Sequence, residues 1–142
     1  MKFWDTSALI HLIIKQPQSV KLRNLYENDQ GMVLWWATRV EFVSALARQS
    51  REQGMSRSGE RQARHLLETL ARTWTEVQPT SALRAAAERL LAVHALSAAE
   101  AFQLAAAWHW CQGQTRNASL VSFDVRLREA AYKEGFPVLP AE

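Results

Sequence analysis

Lys2-Phe3-Trp4-Asp5-Thr6-Ser7-Ala8-Leu9 opens the chain with a short strand that ends on a carboxylate and turns straight into a helix. Phe3 and Trp4 suit a strand, and Asp5, Thr6 and Ser7 are three helix N-cap residue types in a row. Leu9, Leu12 and Ile13 then recur at helical spacing until Pro17 breaks the pattern. The same order returns near the far end. Ser119-Leu120-Val121-Ser122-Phe123 reads as a strand, Asp124 caps a helix to about Tyr132, Gly135 stops it, and Phe136 to Leu139 forms a final strand edge.

The segments between repeat the alternation. Ser19 to Tyr26 is helical, and Asn28-Asp29-Gln30-Gly31 is a turn. Met32-Val33-Leu34-Trp35-Trp36 is a continuous apolar run of strand length, as in a sheet buried on both faces. Thr38 is expected to cap a helix from Arg39 to about Gln53, ended by Gly54. Ser56 to Ser58 reads as a linker, and an Arg-rich helix follows from about Gly59 to Trp74. Glu76-Val77 is a short strand, Pro79-Thr80-Ser81 starts an Ala- and Leu-rich helix to about Val93, and Ser97 caps a helix from Ala98 to Cys111. Strands separated by helices predict a three-layer α/β/α sandwich with a central, mainly parallel sheet. In such folds ligands bind beyond the carboxyl ends of the strands.

At 142 residues, 48% hydrophobic and 22% charged, the chain is expected to form a single domain over 1–142 with a helical arm at about 39–74. No apolar run reaches the roughly 18 residues of a membrane span, and the start lacks the apolar stretch of a signal peptide. A cytoplasmic protein without membrane association is the expectation. Cys111 is the only cysteine, which excludes an internal disulfide and suits a reducing compartment; it reads as a small core residue. The net charge is +3, and the segment from Arg39 to Arg72, with seven Arg and four Glu, accounts for all of it. A basic arm of this kind suits a nucleic-acid partner through the phosphate backbone, or is a solvated helical hairpin.

Four carboxylates fall at the joints: Asp5, Glu41, Glu100 and Asp124. Asp5 and Asp124 follow strands, and either is explained by capping alone. Glu41 and Glu100 sit early in helices among small residues, Ser44 and Ala45 in one case and Ala98, Ala99 and Ala101 in the other. A Glu among alanines is either on an exposed face or buried with its charge compensated. Brought to one sheet edge, the four acids would form a hard-oxygen pocket for Mg²⁺ or Mn²⁺, ions that activate water and stabilise a leaving oxygen in phosphate-ester cleavage.

Phe3-Trp4-Asp5-Thr6-Ser7-Ala8-Leu9 resembles the first motif of the PIN domains, the metal-dependent ribonuclease fold, and more narrowly of the VapC toxins of bacterial toxin–antitoxin pairs. Arg39-Val40-Glu41-Phe42-Val43-Ser44-Ala45-Leu46 resembles the helix with the family's Glu, and Leu96-Ser97-Ala98-Ala99-Glu100-Ala101-Phe102-Gln103-Leu104-Ala105 its third acidic motif. Val121-Ser122-Phe123-Asp124-Val125-Arg126-Leu127 resembles the last acidic motif, and Gly135-Phe136-Pro137-Val138-Leu139 the closing strand. The likeness runs in order along the whole chain. One departure is Glu100, where the family usually has Asp; Glu is longer by about 1.5 Å.

The resemblance implies a PIN-like fold and an endoribonuclease in which Asp5, Glu41, Glu100 and Asp124 hold one or two Mg²⁺ or Mn²⁺ ions. Thr6, Ser7 and Ser122 would orient carboxylates or water from behind, and Arg126 would contact a substrate phosphate. It further implies a toxin that cuts tRNA or rRNA and inhibits translation, a homodimer, and a cognate antitoxin clamped by the helices from Arg39 to Trp74.

Three rival readings stand beside this one. A haloacid-dehalogenase-type phosphotransferase also begins with strand and Asp, but carries a second Asp two positions on, where this chain has Ser7. A PIN-like module that binds RNA or protein without cutting would have Glu100 as the mark of a lost site. A structural α/β protein would use all four acids as caps. The four histidines lack zinc-ligand spacing. His11 reads as a core or edge residue, Trp4, Trp35 and Trp36 as core, and one of Trp108 and Trp110 as exposed because they cannot share a helix face.

Overall fold

Successive residues of the central strands point to opposite sides, and that alternation builds two cores. The structure, a computed structural model, describes residues 1–14 and 19–141, so the helix break read at Pro17 lies outside the described residues. Among the described residues five strands, β1 (Lys2–Trp4), β2 (Met32–Trp35), β3 (Thr75–Val77), β4 (Leu120–Val121) and β5 (Val138–Leu139), form one sheet in the order β3-β2-β1-β4-β5. All four pairings are parallel, with Phe3 opposite both Val33 and Leu120.

Phe3, Val33 and Leu120 face one core, shared with α5 (Ser81–Val93), α6 (Ala98–Trp110) and α7 (Val125–Lys133). Trp4, Leu34 and Val121 face the other, shared with α1 (Thr6–Ile13), α2 (Ser19–Asn28), α3 (Thr38–Gln53) and α4 (Arg57–Ala71). A sheet covered on both faces needs apolar residues at every strand position, which is why β2 reads as an unbroken apolar run. Phe3 and Trp4 are fully buried; burial of the Phe3 side chain contributes about 1.5–3 kcal/mol. The three-layer α/β/α sandwich is thus present, with a sheet that is wholly rather than mainly parallel.

Local readings shift where a side chain found a stronger partner. Thr38 does not cap α3; it is the buried first helical residue, and Ala37 stands at the cap without a side-chain bond. Ser56 to Ser58 is not a linker, because the Ser56 hydroxyl accepts from the Gly59 backbone N–H (3.0 Å) and starts α4 at Arg57. The strand expected over 119–123 pairs only at Leu120–Val121. Trp36 is not core: β2 ends at Trp35, and Trp36 lies 49% exposed beyond it. Trp108 and Trp110 are both half-buried, so neither is exposed; both pack against the α5–α7 core, and Trp108 also lies under Arg89, 6.0 Å from its ring centre.

Among the described residues no single helix is long and apolar enough to cross a membrane. The carboxyl ends of β1 and β2 lead directly into α1 and α3, and that of β4 into α7 through Ser122 and Phe123. One sheet edge therefore carries Asp5, Glu41 and Asp124, and α6 brings Glu100 to it.

Candidate active site

Asp5 is both the last residue before α1 and its N-cap. Its Oδ1 accepts from the Ala8 backbone N–H (2.8 Å), the Ser7 hydroxyl donates to its two oxygens (2.8 and 2.9 Å), and the Ser122 hydroxyl donates to Oδ2. The two serines are themselves pinned. Ser7 Oγ accepts from the Phe123 N–H (2.9 Å), and Ser122 Oγ from the Asp124 N–H (3.0 Å). Asp5, 2% exposed, is pushed up from 3.8 to about 6 by burial, which these hydrogen bonds only partly offset and the nearby Asp124 reinforces.

Glu41, in the first turn of α3, accepts at Oε1 from the Thr6 hydroxyl (2.8 Å) and from Gln103 Nε2 (2.8 Å). Asp124 caps α7 through the Leu127 N–H (3.1 Å). Burial raises its carboxyl, and the adjacent Glu100 raises it further. Glu100 forms a capping box with Ser97: its Oε1 accepts from the Ser97 N–H (2.8 Å), while Ser97 Oγ accepts from the Glu100 N–H (3.2 Å). The same Oε1 takes the Arg126 guanidinium at 2.8 Å. Burial works against the Glu100 anion, but Ser97, Asp124 and Arg126 together hold its carboxyl below the ordinary value. Of this neighbouring pair, Glu100 keeps the charge and Asp124 more readily the proton.

All four acids line one cleft of about 310 Å³, together with Thr6, Ser7, Ser97, Gln103 and Arg126. Ser122 stands behind Asp5, fully buried. Within the cleft, no three of the described His, Cys, Asp and Glu side chains are grouped as a metal would hold them. The reason lies in the bonds just given: each carboxylate is tied to its own local partners. The donor set nevertheless suits a hard dication. It is all oxygen, Asp124 raises the carboxyl of Asp5 and Glu100 that of Asp124, and Glu100 Oε2 is buried without a hydrogen-bond partner. Arg126, with its side chain 62% exposed, stands at the mouth, paired to Glu100 rather than pointing free.

Gln103 was not singled out by its sequence. Its Nε2 lies 2.9 Å from Thr6 Oγ1, 3.0 Å from Thr38 Oγ1 and 2.8 Å from Glu41 Oε1, so one buried amide joins α1, α3 and α6. A signal was available: in Ala98–Trp108 the only polar side chains are Glu100 and Gln103, one helical turn apart and on one face. A Gln103→Ala chain is expected to lose about 1–3 kcal/mol in urea unfolding, because Thr38 and Glu41 lose a buried donor. An unchanged midpoint would show that the amide holds nothing.

His11 sits at an edge as read, while Cys111, read as core, packs against the core without being buried in it. His11 is half-buried, with Nδ1 2.8 Å from the Ser7 carbonyl and its ring 4.5 Å from that of Phe123. Cys111 is half-buried, and burial raises its thiol.

Residues 2–133 match the PIN domain family. The fold is similar to the crystal structure of FitAcB from Neisseria gonorrhoeae, with a TM-score of 0.68 and 15% identity over 97% of this chain and 96% of that one. At that identity the likeness concerns the fold alone. No curated protein matches the sequence.

Proposed function

The chain belongs to the PIN domain family, and from that premise we propose that it is a metal-dependent endoribonuclease, the toxin of a toxin–antitoxin pair. The observation that carries this reading is the convergence of Asp5, Glu41, Glu100 and Asp124 on one cleft at the carboxyl edge of a parallel sheet. Capping alone brings Asp5 and Asp124 together, since each starts the helix after one of two neighbouring parallel strands. Asp5, Asp124 and Glu100 do cap helices here, but Glu41 caps nothing and is held toward the same cleft by Thr6 and Gln103.

These four carboxylates would hold one or two Mg²⁺ or Mn²⁺ ions. When bound, such an ion lowers the pKa of a water and offsets charge developing on phosphate oxygens. The chain's own residues supply the frame. Ser7 and Ser122 fix both oxygens of Asp5, Thr6 and Gln103 fix Glu41, and Ser97 fixes one oxygen of Glu100 so that the other faces inward. Arg126 would leave Glu100 for a substrate phosphate, a move its exposure permits.

The substrate in this reading is tRNA or rRNA, and the product of its cutting is arrested translation. A homodimer in the cytoplasm is held inactive by a cognate antitoxin on the helical arm at about 39–74. In support of that partner, Leu66 and Leu70 of α4 join Leu12, Ile13 and Tyr26 in an apolar groove of about 320 Å³. The test is incubation of purified protein with total cellular RNA in Mg²⁺, in Mn²⁺ and in EDTA. Discrete fragments formed only with metal support the reading, and their ends name the substrate. Intact RNA under all three conditions, from protein free of antitoxin, moves the non-cleaving binding module to the front.

A further inference from the structure

Arg57, Arg61 and Arg64 are all exposed and recur at i, i+4 and i+7 on α4, so they share one face of that helix. None of the three has an acidic partner among the described residues. Two acids line the same surface and are held to α3: Glu60 accepts from the Ser50 hydroxyl (3.1 Å), and Glu68 is paired with Arg39. That last pair also orients the stripe. It ties the C-terminal half of α4 to the first turn of α3, so Arg64, one turn from Glu68, is the nearest of the three to the end of α3 that carries Glu41.

We propose that this face of α4 is a track for the phosphate backbone of the RNA, guiding the strand to the cleft. Two observations select a polyanion over a protein. Seven residues of helix span about 10 Å, over which one strand of a nucleic-acid duplex presents about three phosphates, one for each arginine. The face also lacks an apolar anchor, which a protein interface needs at its centre. The one exposed large apolar residue of α4, Leu66, lies instead in the grooves against α1.

The proposal rests on RNA being the substrate, and its test separates the two claims. Binding of a short fluorescein-labelled single-stranded RNA is followed by anisotropy in EDTA, where no metal-dependent cleavage occurs, from roughly 50 to 250 mM KCl. The parent chain is compared with Arg57→Gln/Arg61→Gln/Arg64→Gln and with a control, Arg84→Gln/Arg116→Gln, which removes two exposed charges away from α4. Circular dichroism confirms that each is folded. Three lost phosphate contacts lower the slope of log K against log salt by about 2, and the control leaves it unchanged. A triple variant within about 0.5 of the parent slope, a control that falls as far, or a parent that binds no RNA overturns the track. An unchanged RNA slope with weakened binding of a polyglutamate peptide overturns it in favour of an acidic protein. A slope lost as expected in a chain that cuts no RNA with Mn²⁺ upholds the track and removes the nuclease reading alone.

Discussion

Asp5→Asn is expected to make the metal-free protein more stable at neutral pH while abolishing its cleavage of RNA. Asp5 titrates at about 6 in the folded chain and 3.8 as an ordinary carboxyl, because it is buried. Between about pH 4 and about pH 6 the folded chain therefore keeps a proton that the unfolded chain has lost. Stability falls as pH rises through that window, and above it the ionised group costs about 3 kcal/mol. Asn removes that cost and can still accept from the Ala8 N–H, since it is among the best N-cap residues. With a divalent ion present the gap narrows: an ion at about 100 times its dissociation constant adds about 2.7 kcal/mol to the parent, and less to the variant. Loss of a group behind a metal ligand costs about 10–100-fold in affinity or activity, so loss of a ligand's charge should cost at least about 100-fold in cleavage. Calorimetry at pH 7 in EDTA and in Mn²⁺, beside an RNA assay, checks all three. A variant less stable than the parent in EDTA, and still active, would contradict both halves.

Glu100→Gln is expected to weaken Mn²⁺ binding by at least about ten-fold and to return Asp124 toward the ordinary carboxyl range. Gln keeps the length of the side chain and can still accept from the Ser97 N–H, so α6 keeps its start. What goes is the charge that raises Asp124 and attracts Arg126. Titration by isothermal calorimetry measures the first effect and carboxyl NMR the second. Unchanged Mn²⁺ affinity would make Glu100 a cap and nothing more. Glu100→Asp examines the departure from the family pattern. Asp is shorter by about 1.5 Å and cannot make the same reach back to Ser97. If neither the parent nor Glu100→Asp cuts RNA, the binding-module reading gains.

The layers and sheet were legible because apolar runs, caps and turns agreed along the chain. β1 and β2 begin where their residues predict, and Asp5, Ser97 and Asp124 cap the helices expected of them. What escaped reading depended on partners far apart in sequence. Thr38 has the chemistry of a cap, yet Gln103, 65 residues on, takes its hydroxyl. Trp36 continues an apolar run, but the ladder ends one residue earlier and leaves it half-exposed. Arg126 is expected at a substrate phosphate, and only the fold shows the buried carboxylate 26 residues away that holds it. The four acids expected at one edge do line one cleft. Their distances and the local bonds that hold them apart were not legible, since those depend on side-chain geometry that spacing does not encode.

The most direct measurement is a titration of the purified protein with Mn²⁺, read by electron paramagnetic resonance of the free ion, for the parent and for Asp5→Asn. The account predicts saturable binding of one or two ions per chain in the parent and its loss in the variant. Absence of saturable binding, or binding that Asp5→Asn leaves untouched, would contradict the claim that the acidic cleft is a metal-dependent active site.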